Sequence, residues 1–168
     1  LLEGTISNYP WGIYFFNDLT PLGNYFVRPQ LGNSDILNGV NTFDLILISR
    51  HILNLEPLNT PYKIIAGDVN RSGTVTTFDI VTARKAILGS ISEFPGNTSW
   101  RFVPKSHTFL NPANPFQNPL PEQINLSSIF ESVENADFWA IKTGDVDQSA
   151  VPGIINAADD RDLPTGLT

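Results

Sequence analysis

The twelve residues from Asp68 to Asp79, reading Asp-Val-Asn-Arg-Ser-Gly-Thr-Val-Thr-Thr-Phe-Asp, constrain this chain more than any other stretch. Asp68, Asn70, Ser72, Thr76 and Asp79 stand at positions 1, 3, 5, 9 and 12 of the run, with Gly73 at 6 and Thr74 at 7. Calcium is a hard cation that gathers six to eight oxygens. A loop that wraps it offers side-chain oxygens at those same five positions, a backbone carbonyl at 7 and a glycine for the turn at 6. The segment is therefore expected to bind calcium through Asp68, Asn70, Ser72, Thr74, Thr76 and Asp79. Behind it Ile80, Val81, Ala83, Ile87 and Leu88 recur at helical spacing, Arg84 and Lys85 suit the negative end of the helix dipole, and Gly89 marks a stop. An Asx-rich turn that caps a helix at Thr77 or Asp79 and binds nothing is the plainer alternative.

The loop and its helix have a partner earlier in the chain. Asp44 set against Asp79, a shift of 35 residues, aligns Thr42-Phe43-Asp44 with Thr77-Phe78-Asp79, Arg50 with Lys85 and Ile52-Leu53 with Ile87-Leu88. The earlier loop is damaged: Leu37 falls at position 5 and Gly39 lies one residue out of register with Gly73. Only Asn33, Asp35, Asn41 and Asp44 remain as oxygen donors there, so calcium is expected in the second loop, and helix capping competes with it in the first. A third fragment, Gly144-Asp145-Val146-Asp147-Gln148-Ser149, repeats the loop opening with Asp145, Asp147 and Ser149 at positions 1, 3 and 5, but no glycine or position-12 acid follows. It reads as a solvated turn or a partial site.

Paired loops of this kind, each leading into one helix, resemble a dockerin domain over about residues 32 to 95. The longer run from Asn38-Gly39-Val40-Asn41-Thr42-Phe43-Asp44 through Pro57-Leu58, Pro61-Tyr62 and Gly67-Asp68-Val69-Asn70, then Asn97-Thr98-Ser99-Trp100-Arg101-Phe102-Val103 and Gly144-Asp145-Val146-Asp147, is similar to dockerin-like modules of large secreted bacterial surface proteins. The resemblance implies a secreted, calcium-stabilised, non-catalytic interaction module. Its partner would be a cohesin-like domain or other copies of the chain. Two departures bear on this: Ser72 stands where an acid is usual, and Phe43 and Phe78 stand where cohesin-binding dockerins show polar recognition residues. Aromatic residues at both loop-to-helix junctions are expected to pack into the module's own core or against a neighbouring domain.

Residues 1–31 read as a β meander, with strands over 2–7 and within 12–29 and turns at Asn17-Asp18 and Pro21-Leu22-Gly23-Asn24. The run from Gly12 to Pro29 resembles the closing strands of a carboxypeptidase-regulatory-like, transthyretin-like β-sandwich. A sandwich needs about seven strands and this segment has room for three or four. The remainder would come from later residues, from a longer parent protein or from another copy. Residues 96–150 read as a β-rich, Pro-rich extension, with strands near 99–103 and 137–142, an extended connector through Pro104, Pro112, Pro115, Pro119 and Pro121, and a short helical turn near 129–133. Residues 151–168 read as a linker or docking tail. The expected class is α+β and mainly β, a partial β-sandwich and β-rich extension around a two-helix calcium-binding unit.

Composition narrows the function. The 168 residues carry 10 Lys and Arg against 17 Asp and Glu, a net charge of −7 that lacks the clustered cations a nucleic-acid backbone requires. There is no Cys and no Met, and no apolar run long enough to insert in a membrane. A best loop with two carboxylates implies calcium affinity of roughly 10⁻⁴ to 10⁻³ M, which fits an extracellular or cell-surface setting. Neither His51 nor His107 sits in a catalytic motif, so no catalysis is expected. The leading expectation is a repeating subunit of an extracellular filament or surface layer, joined by strand or tail exchange; a cohesin-docking adaptor is the alternative.

Overall fold

In a computed structural model the described residues are 14, 16, 19–31 and 35–151. The expected strand over 2–7, the candidate ligand Asn33 and the tail from 152 to 168 lie outside them. Three helices and four strands follow in chain order: β1 Gly23–Val27, α1 Thr42–Ile52, α2 Pro61–Gly67, α3 Thr77–Ile87, β2 Trp100–Pro104, β3 Ile124–Ile129 and β4 Phe138–Lys142. All of them fall within one compact unit, Asp18–Ala150.

The fold is mixed α+β, but the expectation of a mainly β chain is corrected. Strands of five or six residues are outweighed by two helices of 11 residues and one of 7. Among the described residues they make two separate antiparallel pairs, β1 with β3 and β2 with β4, and no sandwich forms. Two elements went unread. Helix α2 begins at Pro61, where a proline costs no hydrogen bond, and Thr60 caps it by accepting from the Lys63 N–H. Strand β3 takes residues up to Ile129, and no helical turn follows it, because the β1 partner claims this segment's backbone groups.

Helices α1 and α3 start alike. Asn41 and Thr76 are their N-caps, and in each a capping box returns the carboxylate three residues on, Asp44 or Asp79, to the cap's own N–H. Two apolar clusters lie beneath. Ile48, Ile65, Ala66, Val103, Ile141 and Val146 join α1, α2, β2, β4 and the segment after β4. Val69, Ala83, Ala86 and Phe94 fix the 68–79 loop to α3 and the chain beyond it. The extension is thus part of the core: Val103 and Val146 have no exposed surface.

Phe43 and Phe78 do not pack inward as expected. They are 51% and 73% exposed, because each follows its N-cap on the outer side of its helix while the box carboxylate takes the inner position. Ile65→Ala should therefore cost about 2–5 kcal/mol, whereas Phe78→Ala should change stability by no more than about 0.5 kcal/mol. Denaturant unfolding of both variants measures the contrast.

Candidate metal centre

Valine anchors the contiguous loop. Val69 is fully buried, which fixes Asp68 and Asn70 on either side of it, and Arg71 and Gly73 take positive φ of 58° and 81° to turn the chain. The Asp68 carboxylate accepts from Ser72 N at 2.8 Å through Oδ1 and from Gly73 N at 2.9 Å through Oδ2. Ser72 N also reaches Asn70 Oδ1 at 3.0 Å, and Ser72 Oγ donates to the Thr74 carbonyl at 3.1 Å. Asp79 closes the ring, with Oδ1 accepting from Asn70 N at 3.1 Å and Oδ2 from Thr76 N at 2.7 Å. All six oxygen donors read from the sequence thus belong to one hydrogen-bonded loop.

The first loop is completed from the far end of the chain. Asp35 is exposed, and its Oδ1 accepts from Leu37 N at 2.8 Å in a local turn. Asp44 instead meets Asp145 and Asp147, with a ligand oxygen from each of the three within 4.8 Å of the others. The two loops share most of their hydrogen bonds. Ser149 N and Ala150 N donate to Asp145 Oδ1 and Oδ2 at 3.0 and 2.8 Å, as Ser72 and Gly73 do to Asp68. Ser149 N reaches Asp147 Oδ1 at 3.0 Å, matching the bond to Asn70. Ser149 Oγ donates to the Gly39 carbonyl at 3.1 Å, which puts Gly39 in the place of Thr74.

Asp44 Oδ1 accepts from Val146 N at 2.9 Å and Asp147 N at 3.2 Å, while Oδ2 accepts from Asn41 N at 2.9 Å. Gln148 has the positive φ of Arg71, and Val146 is buried like Val69. The loop is therefore composite: 145–149 supply positions 1 to 5, Ala150 position 6, and 39–44 positions 7 to 12. Two fragments read separately from the sequence are one site. Gly39 carries the juncture, for a Cβ on it would lie 2.5 Å from Ala150 N, and its φ is +77°.

Electrostatics bear on what these loops can hold. Asp44, Asp68, Asp79 and Asp145 are all at most 3% exposed. The salt bridges among the described residues join Arg50 to Glu56, Arg71 and Arg101 to Glu122, and Lys105 to Asp137, and none reaches these four carboxylates. A buried charge is normally paired or bound to a metal. Burial holds Asp44 and Asp68 above the usual carboxylate range, against the N–H groups that favour their charged forms. Burial, then the hydrogen bond shared with Asp147, pushes Asp145 up to about 6. Burial also acts to raise Asp147, but its hydrogen bonds with Asp145 and Ser149 prevail and hold it low. The all-oxygen donor set, two carboxylates in one loop and three in the other, could hold a hard divalent cation such as calcium.

The extension also supports the contiguous loop. Asn97 Nδ2 donates to the carbonyls of Asp68 and Val69 at 3.1 and 3.0 Å, and Glu122 ties Arg71 of the loop to buried Arg101 of β2. The histidines are taken up by packing: His51 Nδ1 accepts from Leu58 N, and the His107 ring meets Phe109 edge-on at 4.7 Å. No helix among the described residues is long and apolar enough to cross a membrane. No family model, curated protein or solved structure matches the chain.

A pH response follows from Asp145. Its folded value near 6 exceeds the unfolded value of about 3.9, so between them the folded state holds more protons and stability falls as pH rises. In chelator, Asp145→Asn removes that loss. Relative to wild type, the variant should gain stability from about pH 4 to above pH 6, as melting curves across that range would show.

Proposed function

We propose that the protein is a non-catalytic, calcium-stabilised module, built from two loop-helix units of dockerin-like form, that serves in an extracellular or cell-surface setting. The observation that carries this reading is the correspondence between the contiguous loop and the composite one. Oxygen donors recur at the same positions, although one loop is a single segment and the other is assembled from two. Calcium supplies the direct charge pairing that no salt bridge gives the four buried carboxylates, and the chain holds it through Asp68, Asn70, Ser72, the Thr74 carbonyl, Thr76 and Asp79, and through Asp145, Asp147, Ser149, the Gly39 carbonyl, Asn41 and Asp44.

The face across α1 and α3 supports a partner-docking role. An open apolar groove lies between these helices, lined by Leu45, Ile46, Leu53, Ile80, Ile87 and Leu88 and edged by Arg50 and Arg84. The repeat sets Phe43 and Phe78, Ile46 and Val81, and Leu53 and Leu88 outward in pairs, all about half exposed or more. Paired exposed apolar residues in such number favour an interaction surface over a solvated one, and a cohesin-like protein is the occupant this adaptor reading implies. A repeating subunit joined by strand exchange is the second reading. It is favoured by the two-stranded β1–β3 sheet, which has no third strand among the described residues.

Calorimetric titration of the chelator-stripped chain should give two calcium ions, and one in Asp68→Ala/Asp79→Ala. Each ion at a hundredfold excess over Kd should add about 2.7 kcal/mol to stability. A melting curve indifferent to chelator and calcium would sink this reading. Sedimentation in calcium separates the two assembly readings. A monomer supports the adaptor, and self-assembly that survives Phe43→Asp/Phe78→Asp supports strand exchange.

A further inference from the structure

The two loops differ in one respect that gives them different work. In the contiguous loop the closing bond from Asn70 to Asp79 spans 9 residues, whereas in the composite loop the equivalent bond from Asp147 to Asp44 spans 103. The contiguous loop draws both its acids from one short segment. The composite loop draws one acid from the start of α1 and two from the chain beyond β4. We propose that calcium at the composite loop is a reversible strap that holds residues 147–150 against the start of α1, so that calcium concentration sets whether this segment is docked or released. The inference rests on the calcium reading above.

The fastenings along this part of the chain change character at one point. Up to Val146 the segment is held without the acids: β4 pairs with β2, Thr143 N and Oγ1 donate to the carbonyls of Ser99 and Thr98, Gly144 N donates to Ala66 O at 2.8 Å, and Val146 is buried in the main core. Beyond it, Asp147 N bonds Asp44 Oδ1 and Ser149 Oγ bonds the Gly39 carbonyl. Asp147 is half-buried, and Gln148 and Ser149 are exposed. Without a cation these bonds must hold two segments whose carboxylates repel, since Asp44 on one lies within 4.8 Å of Asp145 and Asp147 on the other. With a cation the same oxygens share a ligand and repulsion becomes cross-linking. Lys142 is a buried cation whose charge is felt by Asp145 and Asp44, but its Nζ is hydrogen-bonded to the carbonyls of Ile36 and Thr143 and forms no salt bridge with these acids.

Loss of calcium from the contiguous loop has no such outlet, because Val69, Asn97 and the capping box at Asp79 hold both its ends. Local opening then differs between the two loops, and amide exchange reads it directly. In the full chain, chelator should accelerate exchange at Asp147, Gln148, Ser149 and Ala150 by roughly tenfold or more, with little change in β2 or α3. Asp147→Ala, which removes the donor at a half-buried side chain, should produce the same acceleration in saturating calcium, while Asp68→Asn should not. Near-UV circular dichroism on each variant establishes that the core is intact. If the stripped wild type takes up two calcium ions yet exchange at 147–150 is unchanged by chelator, the strap is wrong and the calcium reading stands. If titration detects no calcium, the reading fails and takes the strap with it.

Discussion

The carboxylate of Asp44 is the junction through which the two ends of this fold communicate. It has no exposed surface, caps α1 through its own helix turn, and accepts two backbone N–H groups from a segment 102 residues away. Closing a contact over that separation instead of over 9 residues costs about 2 kcal/mol more chain entropy. That cost is offset only when the whole fold is in place, with Val146 seated beside Ile48 and Ile65. Ligand assembly at this loop is therefore tied to global folding, whereas the 68–79 loop needs little beyond its own helix.

The same economy explains why the extension belongs to the core. A pair of loop-helix units alone buries little apolar surface, and small units are hard to stabilise. Here β2 and β4 supply Val103 and Ile141 beneath α1 and α2, while Asn97 and the Arg71–Glu122–Arg101 network hold the contiguous loop from outside. With α1 buried on its inner side by these elements and α3 by Val69 and Phe94, their outer sides keep Phe43, Phe78, Leu53 and Leu88 in solvent. The arrangement that stabilises the module also leaves an apolar face on it.

Local sequence was sufficient wherever one short segment contains both partners of an interaction. Helices α1 and α3, the 68–79 loop and the strands near Trp100–Pro104 and Phe138–Lys142 were legible, because periodicity and loop spacing act within a few residues, while the N-cap of α3 falls at Thr76 and not at Thr77 or Asp79. Helix α2 was too short for periodicity to register, and β3, with Asn125, Ser127 and Ser128 among its six residues, carries little strand signal of its own. The aromatic residues at the loop junctions were misplaced because a helix's inward face depends on what packs beneath it.

The sequence by itself marked candidate oxygen donors, Asp35, Asn41 and Asp44 early in the chain and Asp145, Asp147 and Ser149 late in it, each at loop-like spacing within its own fragment, and Asp35 stays in a local turn apart from the others. Their union was decided by tertiary structure alone. No spacing rule links residues a hundred positions apart, and Gly39, which looks out of register along the chain, is in place once Ala150 fills the position before it. Short-range spacing encodes which atoms can bind a cation, but which segments share it depends on the packing of Val146, Ile141 and Gly144 against the helices, and that is a property of the folded chain.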